Sequence, residues 1–254
     1  MSIFTRSTAL TRLLLLLALV GMLSSLGAKA PVESIVLQAV DDTYLVTDVS
    51  TTDDPQGLRD QNFGSLDFVR LWYKNKVTAE EQIVSIGLVK FDLAPLKGLQ
   101  VESANLEMFA LRADLTEPAR LVEVTLVNPV PWAETDVTFN KRPPWGSTAA
   151  SIVAVFGNGR WYSWDVSGTV ASAKEPTVSY VLGLRTIDEK KEEQVVFVSR
   201  EAAGRLGPRL VVTYATQPFT LSWYIWVGIA AGAAALAFLG GWWLPKRLRR
   251  ARDL

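Results

Sequence analysis

The feature that most constrains the fold is a series of short segments between residues 35 and 214 in which apolar and polar residues alternate. Every second residue is apolar in 104–110 and again in 122–126. Alternation with period two indicates strands that have one buried and one solvated face. Turn residues separate the segments, and no stretch before residue 221 has a helical period. About ten strands at this spacing predict an all-β domain, a β-sandwich of the jelly-roll type.

The turn signals divide this region into individual strands. Asn158-Gly159 lies between two apolar segments and predicts a two-residue hairpin turn. The predicted strands are Ser34–Val40, Thr43–Thr47, Leu66–Tyr73, Ile83–Leu93, Val101–Leu111, Leu121–Val127, Ile152–Phe156, Trp161–Val166, Val178–Leu184, Val195–Ser199 and Arg209–Tyr214.

The N-terminus has the pattern of an export signal. Arg6 and Arg12 precede an apolar run over 13–26, which is short for a membrane span but suits the core of a signal peptide. Small residues allow cleavage after Gly27 or, less suitably because a proline follows, after Ala30. We therefore predict a signal peptide over residues 1–30, with an uncleaved N-terminal anchor as the alternative.

The C-terminus has the pattern of a membrane anchor. Residues 221–244 are uncharged and apolar, long enough to cross about 30 Å of hydrocarbon, and tryptophans mark both ends. Five basic residues follow at once in 246–254. We predict a transmembrane helix over 217–245 and, because basic flanks stay inside, a cytoplasmic tail over 246–254. The β domain, residues 31–216, is then extracytoplasmic on a single-pass protein of the cell membrane.

Charge and composition exclude several functions. Without the signal and the tail, the chain has 18 basic and 25 acidic residues, a net charge of −7. Such a domain repels phosphate, so we predict no nucleic-acid partner. There is no histidine and no cysteine, which removes imidazole and thiol catalysis and the usual zinc sites. Export without cysteines favours a prokaryotic cell envelope.

Paired carboxylates are the remaining catalytic possibility. Glu134 and Asp136 flank Trp132, and alternation would place both on the same side of a strand. Spacing alone carries no catalytic signature, so we expect structural roles for them, with bonds to loop backbone or to Arg200. We predict no catalytic residues and no enzyme activity.

An acidic region raises the possibility of a structural calcium ion. Calcium takes six to eight oxygen ligands, and this stretch is rich in carboxylates, although its spacing does not match an EF-hand. A solvated acidic loop is the alternative, and the metal ligands stay unknown. The residues concerned are Asp41, Asp42, Asp48, Asp53, Asp54 and Asp60.

One strand end combines aromatic and basic residues as a glycan site would. Sugar rings stack their apolar faces on aromatic rings, and Trp72 and Tyr73 are flanked by Arg70 and Lys74. Trp145, also close to a turn, is a further stacking candidate. We predict these five residues as ligand-binding. The alternative is an ordinary strand end, with aromatic rings on the core and basic residues keeping the edge soluble.

A set of short motifs occurs in order along residues 35–214. The motifs are Asp42-Thr43-Tyr44, Asn62-Phe63-Gly64-Ser65, Val89-Lys90-Phe91-Asp92-Leu93, Glu102-Ser103-Ala104-Asn105-Leu106, the segment Trp132 to Asn140, Trp161 with Asp165-Val166, Phe197-Val198-Ser199-Arg200-Glu201 and the segment Pro208 to Tyr214. Together they resemble the DNRLRE domain, which is related to disaggregatase repeats and to alginate-binding carbohydrate-binding modules. The resemblance implies a jelly-roll sandwich that serves as an accessory or surface module, without catalysis. It also implies that Trp132, Trp161 and Phe139, which lie within the motifs, pack in the core.

These observations predict a non-catalytic, membrane-anchored surface module that binds a polysaccharide or another cell-envelope component. The acidic balance favours neutral or weakly charged sugars over polyuronates. The alternative is a structural, membrane-proximal partner subunit of an envelope protein complex. Only residues 215–220 separate the last strand from the apolar run that begins at residue 221, and this short linker favours the alternative.

Overall fold

The computed structural model describes residues 31–48, 57–74, 83–113, 119–185, 193–202 and 204–216. The predicted signal peptide, transmembrane helix and basic tail lie outside these ranges. Within them, no helix is both long and apolar enough to cross a membrane. Val32–Ala215 forms one compact unit.

The described residues form ten strands, one short helix and two 3-10 turns, which confirms the predicted all-β class. The strands are β1 (Val32–Asp48), β2 (Phe68–Lys74), β3 (Ile83–Asp92), β4 (Gln100–Ala113), β5 (Arg120–Val127), β6 (Trp145–Val155), β7 (Arg160–Asp165), β8 (Thr177–Leu184), β9 (Glu193–Val198) and β10 (Arg209–Ala215). The helix is α1 (Ser167–Ala171), and the 3-10 turns are Leu58–Asp60 and Ala94–Leu96.

The strands join into a single barrel-like sheet, with the order β1-β10-β4-β9-β2-β3-β8-β5-β6 and with β7 paired to β4. Three long strands change partners along their length and thereby connect its parts. The first half of β1 pairs with β10 and its second half with β3, which closes the ring. The jelly-roll sandwich stays a prediction, because these shared strands leave no clean division into two sheets.

The core lies where the alternating pattern predicts it on β4, whereas on β5 Val122 and Val124 are buried but Leu126 is exposed, because the pairing of β5 with β6 shifts register there. Ala104, Leu106, Met108 and Ala110 on β4 are all fully buried, while the residues between them are half-buried. The largest buried ring, Trp164, packs edge-on against Phe197. Burial of each large apolar side chain contributes about 1.5–3 kcal/mol, and a chain of this size needs no disulfide to hold such a core.

The predicted hairpin at Asn158-Gly159 is wrong. A tight turn is present, and Gly159 adopts φ 69°. The strands on either side of it have different partners, however, since β6 pairs with β5 and β7 pairs with β4. The turn therefore carries the chain from β5's neighbour to β4's neighbour in the sheet. It is attached to the end of β4, where Ala113 N donates a hydrogen bond to Asn158 Oδ1 (2.7 Å).

The two ends of the domain lie side by side. Val32 is paired with Ala215 at the end of the antiparallel β1–β10 ladder, and Thr216 N donates a hydrogen bond to Pro31 O (2.9 Å). The β1–β10 ladder runs from this end to Gln38 and Arg209. The loop that precedes β10 therefore lies at the end of that ladder opposite Val32 and Ala215.

Candidate functional site

Several of the family-like motifs meet in one group of charged side chains, called here the polar cluster: Asp41, Asp42, Lys90, Glu134 and Arg200. Glu134 is at its centre and is only 8% exposed. Arg200 Nε donates to Glu134 Oε2 (2.9 Å), and Arg200 Nη2 donates to Oε1, so the pair is bidentate. Such forked charge-assisted bonds are the strong, orienting kind. Arg200 is thus the partner that the sequence suggests for Glu134.

The geometry around Glu134 is structural. The expectation that Glu134 and Asp136 share one side of a strand is wrong, because residues 134–136 form a turn. Glu134 is buried and bonded to Arg200, whereas Asp136 is exposed. Glu134 also accepts a bond from Asp42 N (3.2 Å), and its own N–H donates to Asp41 Oδ1 (3.2 Å). These contacts tie the 132–140 loop to β1.

Asp42 has an unusual environment within the cluster. It is 1% exposed, and its Oδ2 accepts one bond, from Arg200 N (2.8 Å). Oδ1 is buried with no hydrogen-bond partner among the described residues. Burial, assisted by the nearby negative charges of Glu201 and Glu134, raises the pKa of Asp42 to about 7. This carboxyl therefore changes charge near neutral pH.

The acidic residues do not converge on a metal ion within the described part of the chain, where no group of three or more possible metal ligands occurs. Asp41 pairs with Lys90, Asp42 with Arg200, and Asp60 with Asn140 (3.1 Å). Asp53, Asp54 and the side chain of Asp48 lie outside the described residues. A calcium ion held by those residues stays a prediction.

A groove of about 560 Å³ lies next to the polar cluster, between loop 126–132 and segment 172–179. Trp132 lines it and is half-buried. Its indole Nε1 donates to Ser179 Oγ (3.0 Å) on β8, and the ammonium of Lys90 lies 4.5 Å from the centre of its ring. We call this feature the Trp132 groove. Its volume lies in the range of known ligand sites.

Lys90 connects the groove to the polar cluster. Its ammonium forms an ion pair with Asp41 and donates to the backbone oxygen of Trp132. Trp132 is therefore held at three points, through its carbonyl, its ring and its indole N–H. A preorganised aromatic side chain loses little entropy when a ligand stacks on it.

A second groove, of about 790 Å³, lies between residues 93–101 and 170–176. It is larger, but aliphatic and charged side chains line it, and none of its lining residues is aromatic. The two grooves share the segment 173–176. An aromatic ring is the usual platform for a sugar, which makes the Trp132 groove the better candidate.

The structure brings together only part of the ligand site predicted from the sequence. The Arg70 guanidinium lies 3.8 Å from the centre of the Trp72 ring, and Arg70 Nη2 donates to Gln194 Oε1 (3.1 Å). Tyr73 points the other way and is 2% exposed, so it has no ring face for a ligand. The side chain of Lys74 lies outside the described residues.

Trp145 lies on β6, away from that strand end in the sheet order. Its ring packs partly on a small core cluster that contains Leu45 and Leu88. The Arg142 guanidinium lies 5.1 Å from the centre of this ring and 3.7 Å from that of Phe139. Trp145 thus belongs to a different surface from Trp72.

The sequence did contain a signal for the Trp132 groove. Trp132 follows Pro129 and Pro131, and prolines at that spacing prevent a regular strand and indicate an exposed loop. The expectation that Trp132 serves packing is incomplete, because the ring both packs on the core and lines a groove. Contact with Lys90 and Ser179, 42 and 47 residues away, had no local signal.

The family model of carbohydrate-binding module family 96 matches residues 35–214, nearly the whole described domain. No curated protein matches the chain.

Proposed function

The chain belongs to carbohydrate-binding module family 96, and on this premise we propose that it is a non-catalytic surface module that binds a polysaccharide in the Trp132 groove. The observation that carries the proposal is the fixed Trp132 ring inside a groove of ligand size. Ser179, the nearby charges and the backbone around Trp132 supply the polar groups that orient a sugar. The resemblance to the DNRLRE domain and a jelly-roll arrangement of the strands form part of this proposal.

The charges around the groove favour a neutral or weakly charged glycan. The ammonium of Lys90, which is closest to Trp132, is already paired with Asp41. Lys174 and Glu175 lie side by side on the opposite wall and have opposite charges. The groove therefore has little net positive charge with which to attract a polyanion, and the acidic domain repels one at long range.

Two observations support the proposal that the domain is not catalytic: the composition of the chain and the way in which Glu134 is bound. The whole chain has neither histidine nor cysteine. Glu134, the most buried carboxylate of the Trp132–Asn140 motif, is engaged by Arg200 through both of its oxygens. A carboxylate held in this way is a poor proton donor to a glycosidic oxygen.

The location forms part of the same proposal. An export signal over 1–30 and a membrane helix over 217–245 would place the domain outside the cytoplasm, close to the membrane surface. A reporter active only in the cytoplasm, fused after Leu254, and one active only outside it, fused after Thr216, test this orientation. The orientation would be overturned if the cytoplasmic reporter were active after Thr216 and the external reporter were active after Leu254.

Glycan binding is tested with the full chain in detergent on a panel of neutral and acidic polysaccharides. Trp132→Ala should weaken binding of a neutral glycan at least tenfold, about 1.4 kcal/mol, because it removes the stacking surface. Trp72→Ala is the matched control and should leave the affinity unchanged. Melting curves of both variants show whether the fold is intact.

The two tryptophan variants also separate the rival sites. If Trp72→Ala abolishes binding and Trp132→Ala does not, the ligand lies at the strand end with Arg70. If the parent binds no glycan, the polysaccharide function is wrong and the structural partner subunit becomes the better proposal. The short linker before the predicted membrane span favours that second function, and capture of one envelope protein by the intact chain would support it.

A further inference from the structure

The segment 172–176 joins α1 to β8 and separates the two grooves. In the sheet, β8 pairs with β3 on one side and with β5 on the other, and both pairings are antiparallel. The residues that follow β3 and the loop that follows β5 therefore lie at the end of the sheet where β8 begins. They flank segment 172–176 from opposite sides, and each side has one groove. Because adjacent strands lie about 4.8 Å apart, the two grooves are close neighbours.

The second groove, between residues 93–101 and 170–176, has fixed walls. Leu93 N donates a hydrogen bond to Pro176 O (2.7 Å), which ties the two walls together. Ala173 N donates to Val170 O (3.2 Å), so the wall that follows α1 has a hydrogen bond of its own. Leu96 and Val170 line the groove and are buried. A groove whose walls are already held in place loses little entropy when a ligand enters it.

The side chains of the second groove suit the hydroxyl groups of a sugar rather than its apolar faces. Lys97, Gln100, Lys174 and Glu175 line it and are exposed, and none of its lining residues is aromatic. Ammonium and amide N–H groups donate to hydroxyl oxygens, and carboxylate and amide oxygens accept from hydroxyl groups. Charges of both signs are present, so the second groove suits the same neutral or weakly charged glycan as the Trp132 groove.

The second groove needs the Trp132 groove to bind a sugar well. Hydrogen bonds at an exposed surface contribute little net free energy, because water competes for the same groups. A sugar residue that is covalently linked to one stacked on Trp132 has a high effective concentration at the second groove. One groove thus supplies the stacking platform, and the other supplies polar contacts that only a longer ligand reaches.

We propose that one polysaccharide chain passes over segment 172–176 and occupies both grooves at once, so that the ligand is a stretch of several linked sugar residues rather than a single sugar. This inference rests on the proposed function and specifies the length of its ligand. The polysaccharide crosses at Ala173 and Pro176, which are exposed and line both grooves. Neither has a long side chain, so the crossing point leaves room for a polymer.

The length of the ligand is tested with the full chain in detergent. The probes are fragments of two and of eight sugar residues, prepared from the panel polysaccharide that the parent binds most tightly. The longer fragment should bind at least about thirtyfold more tightly, which exceeds the gain from its larger number of binding registers. A smaller difference, or binding of the polysaccharide without either fragment, would overturn this inference alone. A parent that binds no polysaccharide overturns the proposed function as well.

A variant that fills the second groove locates the added contacts. Ala171 is exposed, lies on α1 and lines only the second groove. Ala171→Leu places an aliphatic side chain there, and leucine is well tolerated in a helix. It should weaken binding of the longer fragment at least about tenfold and leave the affinity for the shorter fragment unchanged. Ala150→Leu is the matched control, because Ala150 is an exposed alanine on β6 that lines neither groove.

Lys97→Ala combined with Gln100→Ala tests the same groove without adding volume. Both side chains line only the second groove, and their removal should reproduce the selective loss for the longer fragment. Melting curves show whether each variant is folded. If the folded variants bind the longer fragment as tightly as the parent does, or lose affinity for both fragments equally, the polysaccharide does not occupy the second groove and the inference is wrong.

Discussion

At the scale of single residues, Asp42 is the group whose ionisation should dominate the response of the domain to pH. Its carboxyl is buried, and its pKa is raised from 3.8 to about 7, mainly because burial disfavours the charged form. The folded protein therefore holds a proton between about pH 4 and 7 that the unfolded chain releases. The resulting stability is fully present below the unfolded pKa and is lost as the pH rises through 7.

We expect the free energy of unfolding to fall between pH 5 and pH 8 in the parent protein. Because a pKa difference of one between the folded and unfolded states is worth about 1.4 kcal/mol, the free energy of unfolding should fall by a few kcal/mol. Asp42→Asn should flatten this dependence, because an amide does not titrate. Denaturant titrations at several pH values measure it. The quantity to compare is the slope of the free energy of unfolding against pH. The absolute values are not comparable, because the side-chain amide introduced at position 42 lacks a hydrogen-bond acceptor there and lowers stability at every pH.

Asp165→Asn is the control for that experiment. Asp165 is an exposed carboxyl whose pKa is lowered, because the side chain and the N–H of Ser167 both donate hydrogen bonds to it. Its contribution is lost only as the pH falls through that lowered pKa, well below the window of Asp42. The control should keep the parent slope between pH 5 and pH 8. A slope that persists in Asp42→Asn would place the titrating group elsewhere.

At the scale of elements, the loop before β2 is locked onto the 132–140 loop through Asn62 and Gly64. Asn62 Nδ2 donates to the backbone oxygens of Glu134 and Val137, and Asn62 Oδ1 accepts a bond from Gly64 N (3.1 Å). Gly64 lies so close that a Cβ there would be 2.3 Å from Glu134 O. The glycine of the Asn-Phe-Gly motif is thus needed for backbone contact.

Gly64→Ala should therefore cost about 1–3 kcal/mol of stability, because the backbone of the 132–140 loop must move to admit the methyl group. Gly183→Ala on β8 is the matched control, since the nearest atom to a Cβ there is a side-chain carbon of Ile86 at 3.9 Å. It should change stability by less than about 0.5 kcal/mol. Thermal melts compare the two variants. Equal melting temperatures would show that the two loops are not rigidly held.

At the scale of the whole molecule, the pairing of the two ends of the β domain predicts that this domain folds without the rest of the chain. β1 and β10 bring residues 32 and 215 together, and the unit between them contains the described core. Residues 31–216 produced alone should fold as a β protein, with cooperative unfolding that reductant does not alter, because the chain has no cysteine. Circular dichroism during heating measures both. A helix-dominated spectrum or a gradual transition would contradict this prediction.

Local periodicity was sufficient to predict the all-β class and the buried face of β4, but not the whole of β5, where Leu126 is exposed near two register shifts. The buried face of β4 follows from Ala104, Leu106, Met108 and Ala110, because alternation alone sets which side of a strand is apolar. The missing cysteine and histidine likewise limit the available chemistry through composition alone. These properties depend on neighbouring residues or on composition, which the sequence states directly.

Tertiary structure alone decided which distant residues meet. Asp42 and Arg200 are 158 residues apart in the chain, and their contact depends on the order in which strands pair. The same order sent β6 and β7 to different partners despite the Asn158-Gly159 turn. Strand order depends on the packing of the whole core, where many weak long-range contacts compete. The total energy of those contacts cannot be read from any short segment of the sequence.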